Sequence, residues 1–271
     1  MDVLERALAK LPLGGVRYFE RTTSTMDEAA AWLEAGGPDL AVVIANEQTA
    51  GRGRLGRRWF TPPDSALAFS VILHAKTEAE RLHSQLFTGL GALGVCQALE
   101  RRLGLQPQIK WPNDVLMEGK KVCGILSEAH WQGENLLGII LGIGINVAPP
   151  SVPPVTAVLF PAACLEDCLQ LSLDRAPVGV ERFELLAWVL ECILEWRPHL
   201  HTPDFLQAWE ARLAYRDQAV QVFRDLANDS PVLEGMLYGL NADGSLRVMT
   251  ASGEMQTVNV GEIRLRASRK E

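Results

Sequence analysis

Apolar residues recur along this chain with two different periods, and the changes of period mark its elements. Met26, Ala29, Ala30 and Leu33 repeat at helical spacing, so residues 25–36 read as a helix capped by Thr25. Leu40–Ala45 is a short β-branched run and Ala66–Leu73 a second apolar run, both predicted as strands. A long helical pattern covers Glu80–Leu103 and ends at Gly104. Ile109–Trp111 is expected to be extended, because the residue before Pro112 is pushed out of helical angles. Lys121–Ala129 and Asn135–Val147 flank a Gln132-Gly133-Glu134 turn and read as an antiparallel hairpin. A stiff proline-rich loop at 149–154 follows, then helical patterns over Val180–Trp196 and Pro203–Leu213.

From Gln218 the pattern changes to short alternating strands: Ala219–Phe223, Val232–Leu240, Leu246–Thr250 and Met255–Val260. They are joined by Asp/Gly turns such as Ala242-Asp243-Gly244-Ser245, which fits a small SH3-like β-barrel. The expected fold class is therefore α+β, with a larger domain over residues 1–215 and an all-β module over 216–271.

Composition narrows the function classes. Of 271 residues, 48% are hydrophobic and 22% charged, which supports a folded globular chain over a disordered one. The formal net charge of −7 argues against a protein that coats nucleic acid or an anionic membrane, unless basic residues are concentrated locally. The longest apolar run, Leu136–Val147, is too short to span a bilayer, and the first fifteen residues lack the uninterrupted apolar core of a secretory signal. Five cysteines without a CxxC pair point to buried thiols in a reducing cytoplasm rather than to disulfides or zinc.

Basic residues are concentrated in Gly51-Arg52-Gly53-Arg54-Leu55-Gly56-Arg57-Arg58-Trp59. Its glycines satisfy GxGxxG formally, but Pro62-Pro63 follow where a dinucleotide-binding helix would have to start. The P-loop pattern fails as well, since Arg57 and Arg58 stand where Lys and Ser/Thr belong. What remains is a loop of bare backbone and guanidinium groups suited to anions, or else a solvated basic loop. Lys110-Trp111-Pro112-Asn113-Asp114 places a Lys on a constrained extended segment, where it serves either as a fixed point charge or as a surface salt bridge. Gly142-Ile143-Gly144-Ile145-Asn146 ends an apolar strand in an amide, and its glycines signal either close packing or a ligand's approach. The hydroxyls of Thr22-Thr23-Ser24-Thr25 either cap a helix or bind a buried polar ligand. The five histidines fall in none of these stretches and read as surface or packing residues.

Taken together and in this order, GRGRLGRRW (51–59), KWPND (110–114), KVCGILSE (121–128) and GIGIN (142–146) resemble the biotin protein ligases over most of the chain. The resemblance implies a class II synthetase-like catalytic domain, a mixed sheet with packed helices, followed by an SH3-like module. It also implies an enzyme that joins biotin to ATP as biotinyl-5′-AMP, with Mg2+ accompanying the nucleotide, and then transfers biotin to a lysine of a biotin carboxyl carrier protein or domain. Carried over residue by residue, biotin binding falls to Ser24, Thr25, Met26, Gln48, Arg52, Gly53, Arg54 and Lys110. Met26 stands where the family usually has Asn, so only a backbone role carries over there. The nucleotide side falls to Arg52, Arg54, Trp59, Asn113 and Asn146, the catalytic roles to Lys110 and Arg54, and no protein ligand to the metal is assigned.

Only about twenty residues precede Ser24, so a DNA-binding domain of the repressor branch is not expected. A homodimer through a sheet edge near Asn135–Val147 is implied by analogy. Two rivals stand beside this reading: a lipoate-type ligase with the same adenylation logic, and a nucleic-acid-binding module using the Arg-rich loop. An interaction protein using only the SH3-like tail would leave the clustered Arg and Lys without a task.

Overall fold

The computed structural model describes residues 2–77, 80–81, 85–154, 160–173, 179–223, 231–259 and 264–267. Seven strands, β1 (Gly15–Thr22), β2 (Ala41–Gln48), β3 (Ala66–Leu73), β4 (Gln108–Lys110), β5 (Asp114–Met117), β6 (Lys120–Gln132) and β7 (Asn135–Asn146), form one sheet. Its order is β1-β2-β3-β7-β6-β5-β4, with β1 and β2 parallel and every other pair antiparallel. This is the mixed sheet expected from the resemblance.

Both faces of the sheet are covered, which explains the continuous apolar runs. On one face, Ala41, Val43, Ile72 and Ile140 pack with Met26, Ala29 and Leu33 of helix α2 (Thr25–Glu34). On the other, Val42, Ile44, Leu67, Phe69 and Val71 join the main core. That core also takes side chains from α3 (Gln85–Leu103) and, beyond α4 (Leu165–Leu173), from α5 (Arg182–Trp196). All eight residues of β3 are buried. A further helix, α6 (Pro203–Glu210), presses Trp209 against α3, where a Cβ on Gly89 would lie 2.2 Å from its ring.

The second sheet comprises β8 (Ala219–Phe223), β9 (Leu233–Leu240), β10 (Leu246–Met249), β11 (Met255–Val258) and β12 (Arg264–Ala267). Its order is β11-β10-β9-β8-β12, antiparallel throughout, as an SH3-like module requires. Val260, the expected end of one strand, lies outside the described residues.

Several details depart from the sequence reading. Helix α1 (Asp2–Leu8), β1, β5, α4 and β12 carry no strong periodic signal. In β1, the burial pattern mixes exposed and half-buried positions because it is an edge strand. The cap of α2 is Ser24, one residue before Thr25: its Oγ accepts from Met26 N at 3.3 Å. The expected sheet edge at Asn135–Val147 is wrong. This segment is β7, paired along Ile139–Asn146 with β3 and along most of its length with β6. The open edge of that hairpin lies instead on β6, where residues 126–132 have no partner strand on the β5 side among the described residues. All five cysteines are buried free thiols. Among the described residues no helix is long and apolar enough to cross a membrane.

Candidate active site

Strand period 2 puts Gly142, Gly144 and Asn146 of β7 on one face, beneath a cavity of about 640 Å³. Neighbouring strands make this floor a series of rungs. Ser70, Gly142 and Leu126 lie side by side, then Ala68, Gly144 and Gly124, then Ala66 and Asn146. Successive rungs are two residues apart, hence about 7 Å. The floor is bare at its middle rung because Trp59 rests there: a Cβ on Gly144 would lie 2.3 Å from the indole, and one on Gly124 3.0 Å. The buried indole N–H of Trp59 has no acceptor among the described residues and is a donor that a ligand could use. Met26 fills the space above Gly142, where a Cβ would lie 2.5 Å from its sulfur.

At the first rung the lining is polar. Gln48 Oε1 accepts from Thr25 N (2.8 Å) and Thr25 Oγ1 (3.2 Å), while Gln48 Nε2 donates to Thr61 Oγ1 (2.9 Å). Ser70 Oγ donates to Thr25 Oγ1 at 2.9 Å. These groups are fixed by one another before any ligand arrives, so they present hydrogen-bonding sites of set direction.

Beside the middle rung the lining is cationic. Lys121 Nζ lies 2.6 Å from Asp114 Oδ1, and Lys110 Nζ lies 3.8 Å from Asp114 Oδ2. Both lysines are largely buried, Lys110 with only 12% of its side chain exposed. Lys110 Nζ also sits 4.8 Å from the centre of the Phe160 ring and Lys121 Nζ 5.4 Å from that of Trp59. Burial alone would raise the Asp114 pKa. The charges of Lys121 and then Lys110, with the hydrogen bond from Lys121, outweigh it and hold the carboxyl below its ordinary value.

A carboxylate whose folded pKa is depressed stabilises the fold above its unfolded pKa, and that contribution is lost as the pH falls through the folded value. Asp114→Asn should therefore cost about 3 kcal/mol at neutral pH, since it strands two buried ammonium groups. The gap should begin to narrow below about pH 4, where the unfolded carboxyl takes up its proton, and close as the pH falls through the lower folded value. Urea unfolding from pH 7 to pH 2 checks this; a gap unchanged throughout would show that the carboxylate is not paired.

The Gly/Arg loop forms the roof. It folds back on itself through Trp59 N to Gly51 O (2.8 Å) and Gly53 N to Arg57 O (2.8 Å), around a short turn at Arg54–Gly56. Leu55 at the apex is left-handed, with φ +59°, and the following Gly56 at +73° relaxes the turn. Arg54 reaches inward: its Nη1 donates to Asn113 Oδ1 at 3.3 Å, and burial lowers its pKa against the opposing pull of Asp114. Arg52 turns outward, pairing with Asp27 Oδ1 at 2.6 Å and with Glu128 Oε1. Asn113 Nδ2 donates to Ile125 O (3.0 Å), and Asn146 Nδ2 to Ala163 O (3.0 Å), fixing the KWPND turn and the segment after β7.

All eleven residues singled out from the sequence, Ser24, Thr25, Met26, Gln48, Arg52, Gly53, Arg54, Trp59, Lys110, Asn113 and Asn146, line this one cavity. The sequence reading missed Asp114 and Lys121 as an ion pair, and Phe160 as the wall facing Lys110. Asp114 and Lys121 lie inside quoted motifs, so their charge was visible although their pairing was not.

The described residues contain no group of three or more His, Cys, Asp or Glu able to hold a metal ion. The cavity's buried carboxylate, Asp114, is committed to Lys121. These residues do not fit a resident metal site.

The chain matches the Biotin/lipoate A/B protein ligase family over residues 18–146 and the Biotin protein ligase C terminal domain over 224–266. It is 33% identical over 221 residues to the Biotin--[acetyl-CoA-carboxylase] ligase of Paracoccus denitrificans, covering 80% of this chain and 88% of that one. It is 37% identical over 161 residues to the Bifunctional ligase/repressor BirA of Bacillus spizizenii, and there the match spans about half (49%) of the relative's length. In three dimensions it is similar to the biotin protein ligase from Aquifex aeolicus in complex with biotin and ATP, with TM-score 0.77 and 27% identity over 94% of this chain and 99% of that one. With both sheets, the cavity and its motifs in the same chain, these similarities establish that the protein belongs to the biotin protein ligase family.

Proposed function

We propose that this chain is an ATP-dependent biotin protein ligase. One observation carries the reading: a polar rung and a cationic cluster lie along one cavity floored by glycines beneath the Gly/Arg loop. The fixed hydroxyls and amide of Thr25, Ser70 and Gln48, with Ser24 at the helix start, suit the ureido ring. The glycine floor and Trp59 suit the apolar body. Lys110, Lys121 and Arg54 suit a carboxylate beside a phosphate chain.

In the first step a biotin carboxylate oxygen bonds to the α-phosphorus of ATP, the bond to the β-phosphate oxygen breaks, and pyrophosphate leaves with the electron pair. Two anions must approach each other. Lys110, Lys121 and Arg54, with Asp114 among them, offset that repulsion from fixed positions. Asn113 and Asn146 hold the walls on the nucleotide side. Magnesium would enter on the ATP phosphates. In the second step the neutral amine of an acceptor lysine attacks the acyl carbon, the bond to AMP oxygen breaks, and the amine releases its extra proton.

The acceptor is a biotin carboxyl carrier protein or domain, consistent with the carboxylase named in the Paracoccus relative. The cytoplasm is the expected place, in keeping with five buried free thiols. The division into a catalytic domain over 1–215 and a C-terminal module over 216–271 belongs to the same proposal. Pairing of two copies through this hairpin would fall to the open edge of β6.

Biotin-dependent exchange of labelled pyrophosphate into ATP tests the first step without any acceptor. Exchange with biotin alone is expected; exchange with lipoate or octanoate instead would move the chain to the sister ligases. Arg54→Gly should release the adenylate faster, because it removes the guanidinium that ties the roof to Asn113. Labelling of bystander lysines should then rise about tenfold, as expected when a lid that excludes water and strangers loosens. Labelling confined to the natural acceptor would remove Arg54 from that role.

A further inference from the structure

Lys110 ends β4, a three-residue strand at the edge of the seven-stranded sheet, and both of its sequence neighbours are gripped from far along the chain. On one side, Ile109 N–H donates to Arg212 O (2.6 Å) and Ala214 N–H to Ile109 O (2.9 Å), so residues 212–214 lie against the strand's outer edge. Arg212 is itself forked onto Glu100 of α3, at 2.7 and 2.6 Å. On the other side, the Trp111 ring is 1% exposed and its Nε1–H donates to Gly244 O at 3.0 Å.

Gly244 belongs to the turn joining β9 to β10, and that turn is braced internally. Asn241 N donates to Ser245 O (2.9 Å), Asn241 Nδ2 to Ser245 Oγ (2.9 Å), and Asp243 Oδ1 accepts from Ser245 N (2.9 Å) and Oγ (2.6 Å). Gly244 has φ +82°, and a Cβ there would lie 3.1 Å from both Leu86 and Trp209. The turn therefore seats directly on α3 and α6, with its carbonyl aimed at the indole. Besides these grips, the three-residue edge strand pairs with β5 through Ile109↔Val115 and its two neighbouring pairs, a short ladder for an edge position.

We propose that the C-terminal module acts as a positioning element for Lys110: its 241–245 turn, through Trp111, works with the 212–214 segment at the end of the catalytic domain, through Ile109, to set where the Lys110 ammonium stands. This rests on the reading that Lys110 acts in adenylate formation. The module's part in catalysis is then geometric and requires no contact between it and the ligands.

The test uses the full chain, with Trp111→Phe, which keeps a ring but removes the donor, and Asn241→Ala, which loosens the turn from outside the cavity. Pyrophosphate exchange is measured per biotin-binding site, counted by titration, so that loss of folded protein does not register as loss of rate. Trp111→Phe should lower kcat about tenfold, the scale of a displacement well under 1 Å. Asn241→Ala should lower it about threefold, a smaller displacement by the same reasoning. KM for biotin should stay within twofold of wild type in both. The double variant should be no slower than Trp111→Phe, because the bond that the turn supports is already gone. Effects that multiply in the double variant, or per-site kcat equal to wild type in both singles, would overturn the proposal. If Trp111→Phe does not fold, Asn241→Ala decides alone: unchanged per-site kcat overturns it. Absence of exchange in the wild type would remove the ligase reading itself, and this inference with it.

Discussion

Lys110→Ala is expected to lower biotin-dependent pyrophosphate exchange by about 10²- to 10³-fold, the usual cost of deleting one fixed charge or donor at a reacting centre. The ammonium stands in a largely buried position between Asp114 and the Phe160 ring, so water cannot simply replace it. Unlike a surface lysine, it is held by a strand pair and by Asp114, and the loss should appear mainly in kcat. Stability should change little, because Lys121 remains to neutralise Asp114 at 2.6 Å. Steady-state exchange alongside thermal unfolding measures both quantities. An exchange rate within threefold of wild type would take Lys110 out of the chemistry and leave Lys121 as the principal cation.

Gly144→Val should abolish biotin binding rather than slow the chemistry. A Cβ at this position would lie 2.3 Å from Trp59, and two further methyl carbons would occupy the middle of the floor. Either Trp59 lifts off, taking the roof with it, or the strand shifts against Gly124 and Ala68 on either side. Calorimetric titration should show biotin affinity reduced by at least about 100-fold, some 2.7 kcal/mol. The predicted contrast with Lys110→Ala is that the defect lies in affinity. A Gly144→Val protein that binds biotin normally would mean that the ligand does not lie over this rung.

Much of the site could be read from the chain because its chemistry sits in short motifs of unusual residue types. Arginines interleaved with glycines, a Lys before Trp-Pro, and glycines spaced by two in an apolar strand each carry their meaning locally. What the chain does not display is register. Lys121 reaches Asp114 because β5 and β6 pair with a bulge between Val115 and Leu116, and no sequence spacing encodes that offset. Phe160 meets Lys110 because residues 161–163 join the start of β6, with Lys121 N bonded to Pro161 O at 2.7 Å. The error over β7 has the same origin. Its hairpin partner β6 is adjacent in sequence and easily read, whereas its other partner, β3, lies about seventy residues earlier. Arg52 illustrates a different limit: its motif predicts an anion, and the anions it meets are the chain's own Asp27 and Glu128.

The rungs of the floor have a consequence for selectivity. Polar groups at Ser70 and Thr25 and cations beside Gly124 belong to different rungs, and the rungs are pinned by β-sheet pairing on both sides of β7. The spacing of the rungs beneath these groups, about 7 Å per step, is set by backbone dimensions. The cavity works as a ruler. For the ligase proposed above, an acid of the wrong length should engage its head or its carboxylate but not both, and so be selected against by distance.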